Sequence, residues 1–208
     1  MFPLSGADGL LILGLIGTAV FAVNGALTAV QAAKLDIVGV TTLGTITALG
    51  GGITRDVLLG ALPPEGLADW RYLSLALVTS ALVFPAHRLL ARFVSLVTVL
   101  DAAGLSLFCV TGTLASLEHG AGPLLAIILG TISGVGGGTY RDLLVGRIPV
   151  ILTSGVYAIP AAIGATATMG VAALGWTGPI PYIAAAGLCF AIRMIGVHYN
   201  LNTPQLHA

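Results

Sequence analysis

Apolar residues fill seven stretches of the chain, at 10–33, 37–59, 72–90, 96–117, 123–145, 150–174 and 180–198, and polar residues gather in the short segments between them. A helix needs about 20 mostly apolar residues to cross the hydrocarbon core of a bilayer. Each stretch therefore predicts a span. A transmembrane barrel requires strands of about ten residues with alternating polarity, and these runs are too long and too uniformly apolar for that. The pattern predicts an all-α membrane protein, a single transmembrane domain of seven helices with short connections.

The chain also repeats itself. LGGGITRDVLLG at 49–60 matches VGGGTYRDLLVG at 135–146, an offset of 86 residues. The same offset pairs Pro63 with Pro149 and GTIT at 44–47 with GTIS at 130–133. Upstream, FAVNG at 21–25 matches FCVTG at 108–112 at an offset of 87, which one loop insertion explains. Repeat one covers 10–91, repeat two covers 96–174, and the helix at 180–198 is an addition. Three spans per repeat put the two copies across the membrane in opposite directions. Such an inverted pair recurs in secondary transporters and suits a channel equally well.

Three consecutive glycines inside a span, Gly50, Gly51 and Gly52, and again Gly136, Gly137 and Gly138, relax the backbone and remove packing side chains. A kink or break is expected there. In lipid a broken helix survives only beside a polar cavity or against protein, and freed carbonyls can replace part of a cation's hydration shell. The competing reading is close packing: Gly44, Ala48 and Gly52 share one helix face, as do Gly130, Gly134 and Gly138, and small residues at that spacing let helices approach.

Arg55-Asp56 and Arg141-Asp142 follow each triplet. Charges inside a bilayer face a bundle interior or a water-filled cavity. Counted from Asp36, residue 55 lies about 28 Å along a straight helix, so the pair could also end its helix at the interface and snorkel. Arginine alone repels cations; paired with aspartate it is nearly neutral and can serve as a latch that breaks and re-forms. The arginines read as gate or structural groups. The aspartates, with Thr45, Thr47, Thr131 and Ser133, are the candidates for cation contact. Asp101 stands by itself near the start of the fourth span, either as a cation-attracting or proton-accepting carboxylate at a pore mouth or as an interfacial group paired with Arg92 or capping the helix. Asn24 and Thr111, equivalent in the two repeats, are expected to hydrogen-bond between helices.

Composition narrows the function classes. Of 208 residues, eight are basic and eight acidic, a charged fraction of 8% beside 57% hydrophobic. The mean hydropathy is +1.04. Soluble domains spend about a quarter of their residues on charge, which excludes an ordinary cytosolic enzyme and a disordered chain. A formal net charge of zero supplies no basic face for nucleic acid. With the N-terminus outside, Lys34, Arg88, Arg92, Arg147 and Arg193 fall on the cytoplasmic side and only Arg71 outside, the arrangement the positive-inside rule favours. Asp8, Glu65, Asp69 and Glu118 then collect outside. The N-terminal Met1, Phe2, Pro3, Leu4 and Ser5 lack the basic stretch of a cleavable signal, so the first segment is expected to remain a span. Cys109 and Cys189 read as small core residues. His87, His119, His198 and His207 have no metal-ligand spacing, and no phosphate loop or HExxH pair is present; neither an enzyme nor a metal or cofactor site is expected.

Seven spans, a three-plus-three inverted repeat and a duplicated GGG-x-x-RD in the second and fifth spans resemble the prokaryotic trimeric intracellular cation (TRIC) channels. The likeness covers nearly the whole chain. It implies a homotrimer in membrane lipid, each subunit carrying its own pore for monovalent cations, chiefly potassium, between the kinked second and fifth helices. Arg55, Asp56, Arg141 and Asp142 would shape or gate that pore. The short tail from Tyr199 resembles bacterial members and implies a bacterial or archaeal plasma membrane, with the C-terminus cytoplasmic. Related bacterial sequences have been labelled glycine transporters, so the alternative is a carrier for glycine or another small zwitterion.

Overall fold

The structure, a computed structural model, describes residues 7–32, 35–90, 95–176 and 178–201. Lys34, Arg92 and His207 lie outside the described residues, as do the side chains of Asp8 and Arg88. The described residues form helices and turns without a strand: α1 (Ala7–Ala32), α2 (Ile37–Leu59), α3 (Glu65–Ala68), α4 (Trp70–Leu90), α5 (Leu96–Glu118), α6 (Pro123–Leu144), α7 (Val150–Thr153), α8 (Gly155–Ala173) and α9 (Pro179–His198). Six of them, α1, α2, α5, α6, α8 and α9, are long and apolar enough to cross a membrane. The 21-residue α4 is comparably long but is not among the six, so the expected count of seven spans rests on that helix.

Local signals set the boundaries. Asp36 caps α2 by accepting the Gly39 amide at 2.8 Å, satisfying one of the free amides every helix start carries. Gly60 ends the helix in the left-handed region at φ 72°, and Gly146, its repeat equivalent, adopts the same φ. Each then leads through a proline into a single helical turn. Pro64 precedes α3 with φ −55°, ψ 139°, and Pro149 precedes α7 with φ −55°, ψ 138°. The structural partner of Pro149 is thus Pro64 rather than Pro63, because the loop of repeat one is a residue longer. The expected span at 150–174 is likewise two pieces. Ser154 is extended (φ −135°, ψ 110°) and parts α7 from α8, as Asp69 (φ −96°, ψ 108°) ends α3 before α4.

Helix packing repeats with the sequence. α1 packs on α2 and both meet α4; α5 packs on α6 and both meet α8; α1 meets α5, and α2 meets α6. α9 rests on α5 and α8. Phe21 and Phe108 mark the crossing of α1 and α5. Gly104 makes room for the Phe21 ring and Gly17 for the Phe108 ring, a reciprocity that requires the helices to run antiparallel. The core lies along these four helices, with Phe21, Ala22, Ala48, Leu49 and Phe108 in one cluster. Leu105, Cys109, Val135, Tyr157 and Cys189 anchor a second cluster against α8 and α9.

Candidate functional site: two vestibules closed by buried ion networks

The glycine triplets do not break their helices. α2 and α6 are continuous through them, and no carbonyl is freed there. The triplets permit contact between backbones instead. A Cβ on Gly51 would strike the Ser133 carbonyl, one on Gly137 would strike the Thr47 carbonyl, and one on Gly136 would lie 2.9 Å from the Gly51 Cα. Residues 47 and 51 thus meet 137 and 133, an antiparallel crossing. The contacts at Gly51, Gly136 and Gly137 are those of close helix packing. Gly50 and Gly138 make room for the rings of Tyr140 and Tyr157, whereas a Cβ on Gly52 would meet nothing within 4 Å.

The expected polar lining also serves helix crossings. Thr47 is buried and donates to the Leu43 carbonyl of its own helix at 2.7 Å; Thr131 donates to Ile127 at 2.8 Å. Gly25 approaches Gly44 and Thr47, and Gly112 approaches Gly130 and Ser133 in the mirrored way. The hydroxyls of Thr45 and Ser133 are buried without a hydrogen-bond partner. Thr111 bonds to Leu107 in its own helix at 3.0 Å, so it does not bridge helices as expected. Asn24 does: its amide nitrogen donates to the Val97 carbonyl at 2.6 Å.

Beyond the crossing, α2 and α6 carry the Arg-Asp pairs to opposite ends. Neither pair snorkels at an interface: Arg55 is 5% exposed and Asp56 2%, and Arg141 and Asp142 are each 4%. A buried charge demands a partner, and both ends solve this alike. Arg55 Nε donates to Asp56 Oδ1 at 2.8 Å, and Asp56 Oδ2 accepts the Glu65 amide at the start of α3 at 2.9 Å. Arg141 Nε donates to Asp142 Oδ1 at 2.9 Å, and Asp142 Oδ2 accepts the Val150 amide at the start of α7 at 3.2 Å. Each aspartate therefore holds its arginine with one oxygen and the returning loop with the other.

Each arginine has a second carboxylate, and here the halves differ. Arg141 reaches Asp101 of α5 at 2.7 Å and the Asn24 side-chain oxygen of α1. Asp101 is therefore not solitary but pairs with Arg141; Arg92, the partner offered by one reading of the sequence, lies outside the described residues. Its Oδ1 also accepts the Tyr157 hydroxyl at 3.2 Å. At the other end Arg55 reaches Glu65 at 3.5 Å, and Glu65 accepts the Tyr72 hydroxyl at 3.3 Å. Arg193 of α9 completes the Arg141 end, donating to the Val156 carbonyl at 2.9 Å with its guanidinium 4.9 Å from the Tyr157 ring centre. Tyr72, Tyr157, Glu65 and Arg193 were not expected in the site. Both tyrosines stand third in a helix that follows a one-turn helix, at an offset of 85, so allowing the repeat alignment one more slip would have found them.

Two clefts open onto these networks. One, beside Gly14, Thr18, Gly52, Arg55, Glu65 and Phe108, lies between α1, α2 and α5. The other is lined by Thr28, Asp101, Arg141, Asp142, Arg147 and Arg193 among others. Between them stand the glycine crossing and the two phenylalanines, buried to 1% and 7% exposure.

The chain matches a family model described as glycine transporter at residues 11–88 and again at 98–173, one match per repeat. It is 52% identical over 196 residues to a UPF0126 membrane protein of Streptomyces coelicolor, covering 94% of this chain and 90% of that one. It is 36% identical over 195 residues to the UPF0126 inner membrane protein YadS of Escherichia coli, covering 92% and 93%. Among solved structures it resembles the TRIC trimeric intracellular cation channel orthologue from Rhodobacter sphaeroides, with TM-score 0.88, 34% identity and coverage of 94% and 100%. It also resembles a prokaryotic TRIC channel solved in 0.5 M KCl, with TM-score 0.84, 32% identity and coverage of 94% and 99%. A likeness at this identity along almost the entire chain, with both repeats matched, makes this protein a member of the family whose model is described as glycine transporter and of the prokaryotic TRIC channel family of its solved neighbours.

Proposed function

We propose that this protein is a passive, potassium-permeable cation channel of a bacterial or archaeal plasma membrane. It works as a homotrimer in membrane lipid, with one pore in each subunit between α2 and α6, and needs no cofactor beyond the permeant ion. The repeats are read as an inverted pair, α4 completes a set of seven spans, and the N-terminus faces outward with the C-terminus cytoplasmic. The outer mouth then holds Arg55 and Asp56, and the inner mouth Arg141 and Asp142.

The observation that carries this reading is the pair of buried networks at the two ends of one path. A structural ion pair needs no counterpart at the opposite end of an antiparallel helix pair, whereas a two-ended conduit does. At the Arg55 end one arginine meets two carboxylates, Asp56 and Glu65, a negative excess that favours a cation. The glycine crossing brings α2 and α6 together without side chains, and the phenylalanine pair closes the path between the vestibules. The neighbouring solved structures, described as cation channels, support the same reading.

The test is planar-bilayer recording of the purified trimer under a potassium gradient, with potassium exchanged for sodium. Discrete unitary currents that reverse near the potassium equilibrium potential are expected. The description attached to the family model favours one other reading, a carrier for glycine or a similar zwitterion. Silent bilayers from folded protein together with glycine uptake into proteoliposomes would replace the channel by that carrier.

A further inference from the structure

The two networks are built from equivalent tyrosines and aspartates, but their second carboxylates are not equivalent. Asp101 is buried near the start of α5, and its repeat counterpart is Gly14. The Tyr72 hydroxyl lies against Gly14, so a Cβ there would be only 2.5 Å away. With no acid at position 14, Tyr72 turns to Glu65, whose own counterpart in the second network is Val150. The Arg141 side chain and its Asp101 partner are each 5% exposed, whereas the Glu65 side chain is 50% exposed. The contacts follow the burial: 2.7 Å from Arg141 to Asp101 against 3.5 Å from Arg55 to Glu65.

We propose that Glu65, held by Tyr72, is the positioning residue of a swinging latch over the Arg55 vestibule, and that this end opens without any rearrangement of the Arg141 network. This deepens the channel reading, whose gate it concerns. Glu65 is fixed through its backbone amide by Asp56, so its side chain can rotate into water while α3 stays in place. Arg55 keeps Asp56 as partner during that movement and is never left uncompensated. Asp101 has no such freedom. Leaving Arg141 would strand the Asp101 carboxylate among buried groups, which is far costlier than releasing an exposed carboxylate to solvent. Behind Glu65 the vestibule reaches Gly52, beside which there is open space.

Gly52→Cys places a thiol inside that vestibule. The two native cysteines, both buried, form the unreactive background. The rate of modification by a membrane-impermeant charged methanethiosulfonate reagent is measured on trimers in proteoliposomes, with Glu65→Gln, Tyr72→Phe or Tyr157→Phe added. Loss of a hydrogen bond to a charged group is worth about a factor of ten. Glu65→Gln and Tyr72→Phe are expected to accelerate labelling by about that factor, and Tyr157→Phe to leave it unchanged. An unchanged rate in Glu65→Gln overturns the latch, and acceleration by Tyr157→Phe overturns the independence of the two ends. Labelling requires no ion flux, so failure of the latch leaves the channel reading intact, and a silent bilayer leaves the latch measurable.

Discussion

Asp101 and Arg141 meet across α5 and α6 at 2.7 Å with both side chains 5% exposed, a buried ion pair that joins two membrane-spanning helices. Removing one partner of such a pair leaves a buried charge, a loss of about 3–5 kcal/mol. Asp101→Asn should therefore lower the thermal stability of the detergent-solubilised protein substantially. Arg141→Met, which strands both Asp101 and Asp142, should cost more than Asp101→Asn, which leaves Arg141 with Asp142. Equal destabilisation by the two variants would show that the buried charges are not the source of the effect.

The members of the glycine triplet should not tolerate alanine equally. Gly51→Ala drives a methyl group into the Ser133 carbonyl, while Gly52→Ala enters open space. Alanine gains about 1 kcal/mol over glycine in a helix interior, so Gly52→Ala is expected to be neutral or slightly stabilising. Gly51→Ala and Gly137→Ala should reduce the yield of folded protein and its melting temperature. Thermal melts of the three variants, read side by side, separate a crossing point from a flexible break, because a break would tolerate all three.

Phe21 and Phe108 stack with ring centres 5.4 Å apart and planes inclined by 23°. Truncating a buried aromatic costs about 3–5 kcal/mol, so Phe21→Ala should be poorly folded, and Phe21→Leu and Phe108→Leu are the useful variants. Either leucine variant is expected to raise resting potassium permeability, read as dissipation of a potassium gradient across proteoliposomes. A gradient held as well as by the unaltered protein would remove the stack from the conduction path.

The mouths differ in charge. Asp101 and Asp142 share their cleft with Arg141, Arg147 and Arg193, an excess of one positive charge. The region around Arg55 also gathers Asp56, Glu65 and Glu118, an excess of two negative charges. Cations should therefore enter more readily from the Arg55 end, and the current-voltage curve should rectify. Arg147 is exposed, so Arg147→Gln is expected to reduce the rectification at low salt without loss of stability. A linear curve in both proteins would speak against a role for these charges in conduction.

Arg193 joins α9 to the second network. It donates to the carbonyl of Val156, which has left helical geometry at ψ 28°, and it lies against Tyr157. Its Nε is buried without a partner. Arg193→Gln should loosen the start of α8 and speed backbone amide exchange there, with α4 unaffected. Unchanged exchange around Tyr157 would remove that anchoring role.

Hydrophobicity alone was enough to read the helices, because lipid admits few ways to satisfy a backbone. The apolar runs mark the ends of α1, α2, α5, α6 and α9 to within a few residues. The repeat was equally legible, since duplicated motifs survive in the one-dimensional order, and with three spans per copy it implied opposed directions. It also singled out Arg55, Asp56, Arg141 and Asp142, for a charge in an apolar run is conspicuous. What the glycines do was decided by tertiary structure. A triplet relaxes a helix and also lets one approach another, and only the neighbouring backbone, the Ser133 carbonyl against Gly51, selects between the two. Partnership was likewise a matter of packing. Asp101 finds Arg141 forty residues away because α5 and α6 lie side by side, and Glu65 finds Arg55 because Asp56 folds the loop back. The tyrosines that complete both networks resemble ordinary interfacial aromatics in the sequence. They become part of the site only where helices from different parts of the chain converge on one buried charge.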